Sequence, residues 1–190
     1  MSSTSAQSYG IFADHVANRG VAVPIDRVDA VRWGVRDSPQ YLMPDGTKVY
    51  EAEIVLRATD GKMIEFVFAV SFEGHGMLKA QYEQFLRDSY AYVLPVISQR
   101  IDRSLEEGGT ARIGKCTLHR DYVSFPSGML ALGRSVVPWF HVRTKLAVGD
   151  FLVFDDRDPR KCVAEPMVGM WNAAVLDVIA QVKRRQSLAR

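Results

Sequence analysis

The sequence predicts an α+β protein in which a strongly bent antiparallel sheet, or partly open barrel, capped by a C-terminal helix occurs twice in succession. Three observations predict it. Residues 50–59 and 63–71 are alternating β-branched and aromatic runs around Asp60-Gly61, the pattern of a hairpin with a type I′ turn. Over 77–105 the apolar period changes from two to between three and four, as it does along one face of a helix. After Gly108-Gly109 strand-like runs begin again and end in a second amphipathic stretch.

Each element follows from the residues in order. Residues 1–8 are small and polar, with no basic region followed by an apolar run, so they read as a disordered lead-in rather than a secretory signal. Residues 9–13 and 16–23 read as short strands, and 24–28, Pro-Ile-Asp-Arg-Val, as a tight turn or a single helical turn. The hairpin follows. Then come Leu78, Tyr82, Phe85, Leu86, Tyr90, Val93, Ile97, Ile101 and Leu105, which share one helical face. Pro95 lacks an amide hydrogen and crowds the preceding turn, which predicts either a kink or a break there, and Gly108-Gly109 supplies the stop.

The pattern then repeats. Residues 115–119 and 122–126 flank Arg120-Asp121, and a glycine-containing loop leads to a strand over 135–142. Residues 151–154 and 161–164 bracket a polar turn at 155–159, and a helix over about 170–185 carries Trp171, Val175, Ile179 and Val182 inward. Val23-Pro24-Ile25-Asp26-Arg27-Val28 lies over Val137-Pro138-Trp139-Phe140-His141-Val142 with Pro and Val at the same spacing, so duplication explains the order best. The expected domains are 9–109, with the long helix, and 110–190.

Composition narrows the function. The chain has 190 residues, 47% of them hydrophobic, enough for a substantial core, and 24 Lys and Arg against 22 Asp and Glu. A net charge of +2 predicts neither a nucleic-acid binder nor a membrane-surface protein from the whole-molecule field. The longest apolar runs, 64–72 and 90–97, are under half the roughly 20 residues that cross a bilayer. Two cysteines are too few for a disulfide framework, which places the chain in a reducing compartment, the cytoplasm.

Several residues of the second half carry a family resemblance. They are Thr117-Leu118, Tyr122-Val123, the link Val137-Pro138-Trp139-Phe140-His141-Val142, similar to an "ipW..v" step, and Asn172 with Val175-Leu176, similar to an "N..vL" helix opening. Together they resemble the bacterial pleckstrin-homology-like (PH-like) domains. The first half departs from that pattern with Ile25 where Trp is usual, a longer hairpin and a much longer helix. The resemblance implies two partly open barrels in tandem, each plugged by a helix, which bind protein segments or lipid headgroups. It carries over no catalytic residue and no cofactor.

The candidate sites follow from residue chemistry. Trp33, Tyr41, Leu42 and Met43 lie on or beside a loop unusually rich in Pro and large apolar side chains, and are the partner-binding candidates. Lys183, Arg184 and Arg185 complement a helix C-terminus and are the candidates for lipid headgroups, each cation attracting an anionic leaflet by about 1 kcal/mol. Without an interleaved aromatic platform they argue against nucleic acid.

Cys116, His119, His141 and Cys162 are zinc-ligand types, but odd spacing sets Cys116 and His119 on opposite faces of a strand, so no metal is expected. The rival from another class is a cysteine- or metal-dependent enzyme using Cys116 and His119, with His141 or His75 as further candidate bases. Gly74-His75-Gly76 reads as a connection, and Asp155, Asp156 and Asp158 as a solvated hairpin tip, Arg157 and Pro159 interrupting any calcium-loop pattern. No nucleophile elbow, H-E-x-x-H, Walker loop or G-x-G-x-x-G occurs. The expectation is a non-enzymatic module recognising a protein partner, with peripheral contact at the inner membrane face. Headgroup binding is the alternative.

Overall fold

The computed structural model describes residues 9–36, 39–71, 76–127, 133–147 and 149–188. The lead-in 1–8, Gly74, His75 and Arg190 lie outside them, as does the side chain of Leu78. The protein is α+β, with several antiparallel sheets and a C-terminal helix. Its contacts divide the chain into two compact units, Met1–Val96 and Ile97–Arg190, so the division falls inside the long helix rather than at Gly108-Gly109. Among the described residues no helix is long and apolar enough to cross a membrane.

In the first unit β1 (Gly10–Ile11), β2 (His15–Asn18) and β3 (Val21–Pro24) form an antiparallel sheet in that order. Residues 16–23 are therefore two strands and not one, because Arg19 and Gly20, at φ +49° and +80°, turn the chain between them. A single 3-10 turn, Ile25–Arg27, leads to β4 (Val28–Val35), then β5 (Tyr41–Leu42), β6 (Lys48–Ala58) and β7 (Met63–Val70). Strand β6 pairs with β4 and β5 on one side and β7 on the other.

The β6–β7 hairpin forms where expected, with a different turn. Gly61 alone has positive φ, +83°, and its amide donates to the Ala58 carbonyl while that of Ala58 donates to Lys62, a type I turn completed by glycine. Type I′ would require positive φ at both central residues.

The long helix is continuous as α1 (Gly76–Asp88), one π-helical turn (Ser89–Val93) and α2 (Leu94–Glu106). Pro95 thus does not break the helix: it is the second residue of α2, directly after the π-helical turn. Widening the turn before it, with the Leu94 amide donating to Ser89, relieves the clash that the proline ring would otherwise make. On this helix Phe85, Ser89 and Val93 are buried while Tyr90 is about half exposed. In the first unit Phe85 packs on Phe66 and Phe68 at ring separations of 4.7 and 5.0 Å. Burying such rings is a large apolar contribution to the core.

The second unit has a similar order of elements, with four strands before its 3-10 link and three after it where the first unit has three and four. Strands β8 (Ala111–Ile113), β9 (Cys116–Leu118), β10 (Tyr122–Ser127) and β11 (Gly133–Pro138) form a meander. A 3-10 turn, Trp139–His141, leads to β12 (Val142–Ala147), β13 (Asp150–Asp155) and β14 (Asp158–Pro166), and α3 (Ala173–Leu188) closes the unit. The two links match closely in backbone: Pro24 at φ −55°, ψ 140° and Pro138 at −56°, 143°. Each is tied back alike, the Ile25 amide donating to Asp14 O at 2.9 Å and that of Trp139 to Asp121 O at 3.3 Å. Trp139 is buried and its Nε1 donates to His119 O at 2.9 Å, so this indole is fully used in the core.

Candidate functional site

Strand β5 is the edge of its sheet. The Gln40 amide donates to Val49 and that of Met43 to Thr47, while a turn closed by the Asp45 side chain accepting the Thr47 amide fixes the two-residue strand against β6. Tyr41 and Leu42 remain 53% and 64% exposed, an adjacent aromatic and aliphatic pair on a strand edge that no described strand covers. Met43 is half-buried at the base of the turn. Trp33 does not join them. It is 7% exposed on β4 with its ring 5.6 Å from that of Tyr90, so its apolar area belongs to the core and is not an anchor for a partner.

The basic helix terminus also divides. Lys183 is 5% exposed, and its Nζ lies 2.6 Å from both Asp102 Oδ1 and Glu106 Oε1 on the C-terminal turns of α2. Burial alone would lower its pKa, but the hydrogen bonds to the two carboxylates outweigh that and hold it above the ordinary lysine value. The sequence reading of Lys183 as a headgroup ligand is corrected: its charge is spent inside the unit. Arg184 and Arg185 are exposed and have no hydrogen-bond or ion-pair partner among the described residues. They border a cleft of about 420 Å³ between α3 and β12, whose other wall includes Arg143 and Thr144.

Among the described residues, Cys116, His119, His141 and Cys162 do not form a common cluster with metal-ligand spacing, and His75 lies outside the described residues. Among the described residues the cluster with metal-ligand spacing is His141, Asp155 and Asp156, which includes neither cysteine nor His119. Cys116 is fully buried and its thiol is pushed up to about 12 by burial, with the Glu165 charge adding to the effect, which favours the protonated thiol at neutral pH. Cys162 is exposed on β14. The His119 ring stacks on Tyr122 at 4.3 Å.

No family model, curated protein or solved structure matches the chain. The chemistry of the site therefore rests on its own geometry. In the acidic cluster every carboxylate is already occupied. Asp155 is buried and takes Arg157 Nε on one oxygen at 3.0 Å and Nη2 on the other at 2.9 Å, which holds its carboxyl below the usual aspartate value. Asp156 lies 2.9 Å from His141 Nδ1 and pairs through its other oxygen with Arg143. A cation would have to displace two guanidinium groups. The cluster is a neutralised ion-pair network tying the 3-10 link to the β13–β14 turn, and Asp155 is not the solvated tip residue that the sequence suggested.

Arg143 was missed in the sequence. Its Nη1 donates to Phe140 O at 2.8 Å, which fixes the guanidinium beside the link. The available signal was its position, directly after the Pro-Trp-Phe-His-Val segment on a strand whose next residues face α3.

Proposed function

We propose that this chain is a non-enzymatic binding module, two PH-like halves arising from duplication, that recognises a protein partner by strand addition at β5. The exposed pair Tyr41 and Leu42 on an uncovered sheet edge carries the reading. Main-chain groups of the edge supply affinity to an extended segment of the partner, and the two side chains supply specificity. Aromatic and aliphatic anchors of this kind contribute most when fully desolvated at the centre of an interface. The shared order of strands, Pro-initiated 3-10 turn, hairpin and helix in both units supports the tandem PH-like assignment, together with the near-identical dihedrals of Pro24 and Pro138. The module works in the cytoplasm, with peripheral contact at the inner membrane.

The test is affinity capture from the native cell with the intact chain and with a Tyr41→Ser, Leu42→Asp variant. The intact chain is expected to retain one defined protein that the variant loses, with the melting temperature of the two within a few degrees. Equal retention by both would refute the assignment of β5.

A further inference from the structure

A cavity of the first unit lies between the β2–β3 hairpin and the start of β7, and we propose that it binds a free α-amino acid with a large apolar side chain. Two opposite charges line it, Arg19 from the hairpin turn and Glu65 from β7. Both side chains are exposed, and among the described residues neither has a hydrogen bond or an ion pair, with the other or elsewhere. Opposite charges held apart on one cavity match a ligand that itself carries an ammonium and a carboxylate a short distance apart.

The turn gives Arg19 no reason of its own to be arginine. At φ +49° it stands in the left-handed region, which Asn, Asp and Gly occupy at less cost. Its guanidinium lies within electrostatic reach of the Tyr9 hydroxyl, which burial holds above its ordinary pKa and the Arg19 charge pulls back. A planar fork in that place takes both oxygens of a carboxylate. Beside it Asn18 is 9% exposed: its Nδ2 donates to the Glu65 carbonyl, which orients the amide, and its Oδ1 is buried with no hydrogen-bond partner among the described residues. A buried acceptor without a donor is costly, and a ligand ammonium brings N–H donors for it and for the Glu65 carboxylate together. Val21, Met63 and Val67, all exposed, give the ligand side chain an apolar surface, and the Tyr9 ring, packed 5.3 Å from that of Phe66, closes one wall. A volume of about 300 Å³ stands at the lower end of small-molecule sites and suits a single amino acid. None of these residues belongs to β5, so the cavity and the strand edge are tested separately.

Calorimetric titration of the intact chain uses L-leucine and L-phenylalanine, with N-acetyl-L-leucine, which lacks the ammonium, L-leucinamide, which lacks the carboxylate, and glycine, which lacks the apolar side chain. The expected result is saturable binding of leucine or phenylalanine, with each control weaker by about tenfold or more, since one lost charge-assisted hydrogen bond or one unburied side chain is worth about that factor. An Arg19→Gln variant is expected to weaken leucine by the same factor and to leave the lower affinity for leucinamide unchanged. A Glu65→Gln variant is expected to weaken leucine and to leave that for N-acetyl-leucine unchanged. These crossed losses assign the carboxylate to Arg19 and the ammonium to Glu65. Saturation by neither leucine nor phenylalanine overturns the proposal. So does binding of the acetylated or amidated form as tightly as leucine, or equal weakening of every probe by either variant, which marks a general charge effect. An unchanged thermal melt of both variants establishes that the fold is intact.

Discussion

The two units share a backbone plan and differ in what they place on it. In the first, the residue after the link is acidic: Asp29, directly after Val28, accepts from Arg57 Nε at 3.0 Å. In the second, the corresponding residue after Val142 is Arg143, paired with Asp156. The tie between the strand and its neighbour is kept while its charge is reversed. The outer strands differ as well. Strand β7 alternates buried and exposed residues and leaves Met63 and Val67 exposed, whereas β14 carries Pro159, Arg160, Lys161, Glu165 and Pro166, residues that discourage further pairing. The lesson is that proline geometry and backbone hydrogen bonds hold the frame, and the side chains around it are free to specialise. The first unit offers an apolar strand edge and the second a basic cleft.

The largest difference between the two units is expected at the link. Trp139 fills the place that Ile25 fills in the first unit, with a larger buried ring and a hydrogen bond. Trp139→Ala is expected to cost about 3–5 kcal/mol and Ile25→Ala about 2 kcal/mol, measured by denaturant unfolding. Equal losses would mean that the larger ring of Trp139 and its hydrogen bond add nothing to the second link.

Lys183 has no counterpart of this kind, since among the described residues of the first unit no cation is buried. Breaking a fully buried pair costs about 3–5 kcal/mol, but Asp102 and Glu106 keep 31% and 44% of their side-chain surface in water, so Lys183→Met should cost about 1–2 kcal/mol. The pKa of Lys183 is raised on folding, so its contribution is complete below the unfolded value of 10.5 and is lost as pH rises through the higher folded value. Melts in alkaline solution should therefore converge between the variant and the parent. Divergence there would contradict the pairing.

The smallest expected effect is at Asp155. Its pKa is lowered chiefly by the Arg157 hydrogen bond, so its contribution is present above the unfolded value of 3.8 and disappears as pH falls through the folded one. Asp155→Asn should lower the melting temperature at pH 7 by a few degrees and by progressively less in acid. A difference that persists undiminished at low pH would point to lost packing instead.

Much of this plan was legible in sequence where the physics is local. Asp60-Gly61 between two alternating runs, the change of period before Tyr82, and the Val-Pro spacing of the two links all act through neighbouring residues, and each marks a real element. What escaped depends on distance or on small backbone shifts. Lys183 meets Glu106 across 77 positions, so nothing in the terminal basic run distinguishes it from Arg184. Tyr90 lies on the apolar stripe by spacing alone, yet it is about half exposed while the neighbouring polar Ser89 is buried, with its hydroxyl donating to the Phe85 carbonyl. Trp33 sits next to a loop of partner-like composition, yet its place on β4 turns it into the core.

The most direct test of the central claim is site-specific photocrosslinking in the native cell, with benzoylphenylalanine at position 42 on β5 or at position 63 on β7. Both positions are exposed and apolar, at 64% and 65%. A discrete adduct with one protein from position 42, absent from position 63 and suppressed by Tyr41→Ser, is the predicted result. The same adducts from both positions, or none from position 42, would contradict recognition at the β5 edge.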